Sequence, residues 1–134
     1  MEKQYFKLKG KGYLCIAMLN HNIHERQLNE LEKRFNVKHL YLIKPGELAV
    51  KESERTVQIN VIFNEITKII RSHNLPVIIW AQTDYELCYV IAKEAIYARA
   101  YLDGYSGFIV DGWEKVLRFI TAVTKRDIKE KELE

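Results

Sequence analysis

Several features that would place this chain in a membrane, secreted or common nucleotide-binding class are missing from its sequence. No segment reaches the roughly 18 consecutive apolar residues that a membrane-spanning helix needs. The first ten residues, MEKQYFKLKG, hold no apolar signal core, so we expect a cytoplasmic protein with no membrane partner. There is neither a Walker A sequence nor a G-x-G-x-x-G fingerprint, which argues against ATP or NAD bound in the usual mode.

Cysteine is scarce, and neither sign of charge dominates. The two cysteines, Cys15 and Cys88, lie far apart in apolar stretches, and we interpret both as reduced, buried thiols. The chain has 21 basic and 18 acidic residues, a net charge of +3. This balance is too even to predict a protein that coats long nucleic acid through charge alone.

The composition is that of an ordinary globular domain. Apolar residues make up 48% of the 134 positions and charged residues 29%. A chain of this length can bury a real core, and it shows no internal repeat or low-complexity segment. We therefore predict one domain over residues 1–134.

Strand-like and helix-like segments alternate along this domain. An edge strand is predicted at residues 4–9, and buried strands at 13–19, 37–43 and 76–81. Helices are predicted at about 23–35, 56–73 and from after Asp84 to about 102, and strand-like segments at 104–110 and 113–123. Asp111-Gly112 between the last two is a hairpin signal. The alternation predicts an α/β domain with a mainly parallel sheet, helices on both faces and a C-terminal β-hairpin.

Two helix starts carry capping signals. Asn22 has the residue type of an N-cap, and Glu25 stands three residues later, as in a capping box. Thr83 and Glu86 have the same spacing at the start of the third helix. We therefore predict Asn22 and Thr83 as the caps of these helices.

Polar residues follow three of the predicted strands. They are Asn20-His21, Lys44-Pro45-Gly46 and Gln82-Thr83-Asp84. Because the carboxyl ends of parallel strands share one edge, we expect these three loops to open together, where open α/β sheets bind ligands. The third helix would offer free N–H groups to an anion there, and Thr124-Lys125-Arg126 after the last strand would add cationic donors. This pattern favours a small anionic ligand such as a phosphate ester.

Four stretches, in order, resemble a group of small CRISPR-associated proteins. Residues 18–28 (MLNHNIHERQL) resemble its N-terminal signature, in which a strand ends in a polar residue and His before a helix. Residues 37–45 resemble its second strand and Pro turn, and residues 79–85 (IWAQTDY) its third strand and Gln-Gly-Asp-aromatic loop, with Thr83 in place of Gly. Residues 122–127 (AVTKRD) resemble its closing Thr-Lys-Arg-acid motif, preceded by what looks like an insertion at residues 103–117.

This group is similar to the CARF (CRISPR-associated Rossmann-fold) domains. The resemblance implies a Rossmann-like homodimer that binds cyclic tetra-adenylate, the messenger of type III CRISPR defence. It further implies a standalone ring nuclease that needs no metal or cofactor, in which a ribose 2′-hydroxyl attacks the adjacent phosphorus and leaves a 2′,3′-cyclic phosphate.

The resemblance also implies residue roles. His21 would transfer a proton, because imidazole titrates near neutral pH, and Lys125 and Arg126 would stabilise the phosphorane charge. Tyr85 would stack on adenine. The remaining ligand-binding positions are Asn20, Asn22, Gln82, Thr83, Asp84 and Thr124.

Other interpretations remain open from the sequence. In one alternative, His21 caps the first helix or forms a hydrogen bond with a backbone carbonyl. In the same way, Tyr85 is interpreted as a packing residue. His21 and His24 have H-x-x-H spacing, but no matching Cys or acidic zinc ligands stand out. At the level of function, the alternatives are a non-catalytic cyclic-oligoadenylate sensor and a small viral or mobile-element interaction protein.

Overall fold

A computed structural model describes residues 1–84, 86–91 and 116–121 of the chain. The elements are β1 (Glu2–Lys7), β2 (Tyr13–Leu19), α1 (Glu25–Lys33), β3 (Val37–Lys44), α2 (Glu52–Ser72), β4 (Val77–Gln82) and β5 (Val116–Thr121). Residues 86–91 are also helical. Strand positions follow the prediction closely, whereas α2 begins four residues earlier than predicted.

The strands form one open sheet with the order β1-β3-β2-β4-β5. Strands β3, β2, β4 and β5 are parallel to their neighbours, and β1 pairs antiparallel with β3 at one edge. The protein is therefore α/β with a mixed sheet, and the prediction of a mainly parallel sheet needs correcting at this edge. The physical reason is the short β1–β2 connection, since a parallel crossover takes a dozen or more residues.

The two faces of β2 carry the two halves of the core. Leu14, Ile16 and Met18 pack with the isoleucines of α2 and with Leu87 and Ile91. On the opposite face, Cys15, Ala17 and Leu19 pack with Leu31 of α1 and with Phe35, which follows the helix. Because side chains alternate along a strand, the apolar run of β2 is buried on both sides. Helices therefore cover both faces, as predicted.

Helix α1 does not start at the predicted cap. Its N-cap is His24, whose backbone N–H donates to Gln27 Oε1 at 3.0 Å, so Gln27 takes the place expected of Glu25. Asn22 lies two residues before the cap and makes a different contact, described below. The prediction of an Asn22 cap is wrong because the helix begins two residues later than that cap requires, at Glu25, with His24 in the extended conformation of an N-cap.

Asn36 joins the far end of α1 to the β1–β2 connection. Its φ of 56° is left-handed, a conformation that Asn tolerates better than most residues. Its side-chain Oδ1 accepts from the Lys11 N–H at 2.9 Å, and its carbonyl accepts from the Gly12 N–H at 3.0 Å. This contact fixes the entry into β2 at the edge of the sheet opposite the polar loops.

The C-terminal part of the prediction is tested at one strand. Strand β5 lies within the predicted 113–123 segment and pairs parallel with β4. The predicted strand at 104–110, the Asp111-Gly112 hairpin and the third helix beyond residue 91 lie outside the described residues. Within the described part of the chain, no helix is long and apolar enough to cross a bilayer.

Candidate functional site at the carboxyl edge of the sheet

The chain reverses its direction of travel across the sheet at β2. From β2 it passes through α1 to β3 on one side, and then through α2 to β4 on the other side of β2. A crevice opens beyond the carboxyl ends of two such strands, and ligands of open α/β sheets bind in that crevice. The residues that follow β2, β3 and β4 therefore form the candidate site.

Asn20 connects the three loops at this edge. Its side-chain Nδ2 donates to Thr83 Oγ1 after β4 at 2.9 Å. Its Oδ1 accepts from the Gly46 N–H after β3 at 2.9 Å, where Gly46 has a φ of 76°. The expectation that these loops open together is confirmed, and Asn20 uses both ends of its amide to hold them.

An open groove with a volume of about 1010 Å³ lies along these loops. We call it the strand-end groove, and its described lining consists of Met1, Glu2, Asn20, Lys44, Pro45, Gly46, Glu47, Leu48 and Asp84. Three of these residues are carboxylates and one is a lysine, so the described part of the groove has less positive charge than the anion-binding prediction implied. The contribution of β1 through Glu2 was not foreseen.

His21 is exposed beside the groove in a defined orientation. Its Nδ1 lies 2.8 Å from the backbone carbonyl oxygen of Asn22. A carbonyl oxygen only accepts hydrogen bonds, so Nδ1 carries the proton and Nε2 of the neutral ring has the lone pair. The carbonyl contact foreseen as an alternative role for His21 thus also prepares Nε2 to accept a proton.

Lys44, the last residue of β3, approaches His21 through Asn22. Its Nζ donates to Asn22 Oδ1 and lies 3.9 Å from Glu2 Oε1. Asn22 therefore contacts Lys44 with its side chain and His21 with its backbone. Sequence reasoning named the Lys44 loop but gave this lysine no role. The available signal for a ligand-binding role was its position, because Lys44 is a cation at the carboxyl end of a strand.

The loop after β4 is built around Asp84 rather than Thr83. Asp84 Oδ1 accepts from the Leu87 N–H at 3.1 Å, as an N-cap side chain does. Thr83 instead accepts from Asn20, and Glu86 Oε2 accepts from Arg55 Nε at 2.6 Å. The predicted Thr83–Glu86 capping box is therefore wrong. Because the Asp84 carboxylate already occupies the helix start, an anionic ligand meets a negative charge there.

The remaining predicted positions divide into placed and undescribed ones. Gln82 is half-buried at the end of β4, opposite Leu19 in the sheet register. Tyr85, Thr124, Lys125 and Arg126 lie outside the described residues. Strand β5 is parallel to β4 and ends at Thr121, so it ends at the same edge as the groove.

A second polar cluster, which was not predicted from the sequence, lies on β1 and β3 beside the C-terminal end of α2. We call it the ring cluster and define it as Tyr5, His39, Tyr41 and His73. Tyr5 Oη lies 2.6 Å from His39 Nδ1, Tyr41 Oη lies 2.8 Å from His73 Nε2, and the two imidazole centroids are 4.7 Å apart. Burial and the neighbouring His73 lower the pKa of His39, and burial raises the pKa of Tyr41.

The cysteines agree in part with the prediction of two buried thiols. Both are free; Cys15 is fully buried and Cys88 half-buried. Burial raises the pKa of both thiols, and the Cys88 Sγ contacts the Thr83 carbonyl oxygen at 3.7 Å. Neither environment produces the stabilised thiolate that a nucleophilic cysteine requires.

Comparisons with protein families, curated proteins and solved structures found no match. Among the described residues, no group of three or more His, Cys, Asp or Glu side chains could hold a metal ion. A function for this chain therefore has to be argued from the groove and its residues.

Proposed function

We propose that the protein is a ring nuclease that binds and cleaves cyclic tetra-adenylate at the strand-end groove. The observation that carries the proposal is the meeting of three strand-end loops at Asn20, with His21 beside them. These are three of the four stretches that resemble the CARF-like group. The stretches that resemble the group in sequence thus also lie together at the carboxyl ends of the strands.

The proposed reaction is an internal transesterification. Nε2 of His21 takes the proton of a ribose 2′-hydroxyl, and the 2′ oxygen attacks the adjacent phosphorus. The bond from phosphorus to the 5′ oxygen breaks, this oxygen takes a proton from water, and the imidazolium returns its proton to the solvent. The products carry a 2′,3′-cyclic phosphate and a 5′-hydroxyl, so no external nucleophile is consumed. General base catalysis of this kind contributes roughly 10²–10⁴-fold to a rate.

The Rossmann-like assignment is part of the same proposal. Four of the five described strands are parallel, and the chain reverses across the sheet at β2. These features support a Rossmann-like core to which β1 adds an antiparallel edge. In this proposal Lys125 and Arg126, which follow β5 in sequence, supply cations to the phosphorane.

A twofold dimer is the proposed active unit. A cyclic tetranucleotide presents four phosphates and can itself have twofold symmetry, whereas the described groove of one chain has a single lysine. An isologous pair of chains brings two copies of each loop to one ring. Light scattering with ligand titration tests this arrangement, which predicts a dimer that binds one ring per two chains. A monomer that binds and cleaves one ring per chain would contradict it.

Incubation with cyclic tetra-adenylate, with and without EDTA, tests the activity. The proposal predicts cleavage that persists in EDTA, with an early product that carries a 2′,3′-cyclic phosphate. Loss of all cleavage on chelation would point to a metal site instead. Binding without turnover would identify a sensor, and absence of binding would support an interaction protein.

A further inference from the structure

We infer that Lys44 binds a phosphate of the cyclic oligonucleotide and that Glu2 competes with this phosphate for the lysine. The inference rests on the proposed function, because it assigns a contact within the same groove. It starts from a lysine at the carboxyl end of β3 that touches both a neutral amide and an acidic residue from the edge strand.

The surroundings of Lys44 leave its ammonium group able to take a further ligand. An ammonium group has three N–H donors. One donates to Asn22 Oδ1, and Glu2 Oε1 is 3.9 Å away, a distance too long for a good hydrogen bond. A phosphate oxygen can therefore bind Lys44 while the contact with Asn22 stays in place.

Glu2 is a weak competitor for the lysine. Its side chain is 71% exposed, whereas that of Lys44 is 20% exposed. An ion pair with so exposed a partner is weak, and a charge-assisted hydrogen bond from Lys44 to a phosphate oxygen is stronger. A phosphate thus displaces Glu2 at little cost, and β1 supplies a weakly held counter-ion for Lys44.

The position of Lys44 also relates phosphate binding to His21. Asn22 contacts Lys44 through its side-chain oxygen and His21 Nδ1 through its backbone oxygen. Lys44, which would hold the phosphate, therefore lies two contacts away from the imidazole that would take the 2′ proton. Lys44 acts here as a ligand-binding and positioning residue, with His21 as the catalytic one.

The test measures binding of cyclic tetra-adenylate to the full-length protein across a range of salt concentrations. Lys44→Met keeps the aliphatic stem and removes the charge from both chains of the proposed dimer, and it should weaken binding at least about tenfold. It should also make the salt dependence of log K shallower by roughly 1.4, because two phosphate contacts on a single strand are lost and each contributes about 0.7. Glu2→Gln should tighten binding up to about fivefold.

Two further variants serve as controls. Lys68→Met removes a charge from an exposed position near the C-terminal end of α2 and should leave affinity and salt slope unchanged. Lys44→Arg should bind nearly as well as the wild type, because arginine also donates to phosphate. Thermal unfolding of each variant establishes that it is folded.

The possible failures are distinguishable. If the wild type binds the ring and Lys44→Met binds with the same affinity and salt slope, the inference is wrong and the proposed function stands. If the wild type binds no ring, the proposed function is wrong and the inference falls with it.

Discussion

At the scale of single residues, the candidate site depends on two asparagines that each make two polar contacts. Asn20 holds the loops after β3 and β4 with the two atoms of its amide. Asn22 contacts Lys44 with its side chain and His21 with its carbonyl. Asn20, His21 and Asn22 were predictable as site residues because they directly follow a buried strand. Their partners were not, since hydrogen bonds between distant loops leave no local sequence pattern.

The loop after β4 gives a prediction that separates Asp84 from Thr83. Asp84→Ala should lower the free energy of unfolding by about 1 kcal/mol, because it removes the cap of the following helix. Asp84→Asn should keep most of the stability, since Asn also caps well. Urea unfolding measures both variants. A Thr83→Ala variant that loses more stability than Asp84→Ala would return the cap to Thr83.

The ring cluster gives a prediction about pH. The pKa of His39 is lowered, first by burial and then by the positive charges of His73, Lys38 and Lys7. The unfolded chain, whose histidines titrate near about 6.5, therefore binds more protons than the folded one in the window below that value. Stability should fall as the pH decreases from about 6.5 through the folded pKa, where the loss is complete.

Urea unfolding at a series of pH values tests this dependence. The wild type should lose stability as the pH falls below about 6.5, and His39→Gln should lose less over the same range. Tyr5 and Tyr41 face the imidazoles as hydroxyl partners. If the stability of His39→Gln depends on pH as that of the wild type does, titration of His39 is not the cause of the pH dependence.

At the scale of elements, the burial of β2 explains why strand positions were predictable. Its apolar run is buried on both faces, and such a run is short, uninterrupted and bounded by polar residues. Helix starts were less predictable. Asn22 and Thr83 have the residue types of caps, but their side chains accept hydrogen bonds from Lys44 and Asn20 instead. The antiparallel direction of β1 follows from its short connection to β2. The alternation of strands and helices along the sequence, on which the prediction rested, does not include this constraint.

The close approach of the β1–β2 connection to β3 predicts a strong effect at Gly10. A Cβ on Gly10 would lie 2.2 Å from the Val37 carbonyl oxygen and 2.5 Å from the Val37 nitrogen. Backbone atoms cannot yield as a flexible side chain does, so Gly10→Ala should lower the free energy of unfolding by at least about 2 kcal/mol.

Gly46→Ala is the matched comparison for Gly10→Ala. Its added Cβ meets no atom within 4 Å, and only the φ of 76° opposes it. We expect a loss of about 1–2 kcal/mol for this left-handed position. Denaturant unfolding of both variants provides the test. Equal stability of Gly10→Ala and the wild type would contradict the described packing of this connection.

At the scale of the whole molecule, the topology could be anticipated more fully than the electrostatics. Alternating strands and helices predicted the α/β class and the meeting of three loops at one edge. The sequence did not show that Glu2 and Glu47 join Asp84 in the groove, because β1 and the loop after β3 reach it only in the folded chain. For the proposed function, the balance between these carboxylates and the cations is the electrostatic feature on which binding of a phosphate ring would depend.

The most direct measurement of the central claim is single-turnover cleavage of cyclic tetra-adenylate by the wild type, His21→Ala and His24→Asn. We expect the wild type to cleave the ring. His21→Ala should cleave it about 10²–10⁴-fold more slowly, while the affinity of this variant for the ring changes little. His24→Asn, which preserves the cap of α1, should cleave near the wild-type rate. Cleavage by His21→Ala at the wild-type rate, or no cleavage by the wild type, would contradict the account.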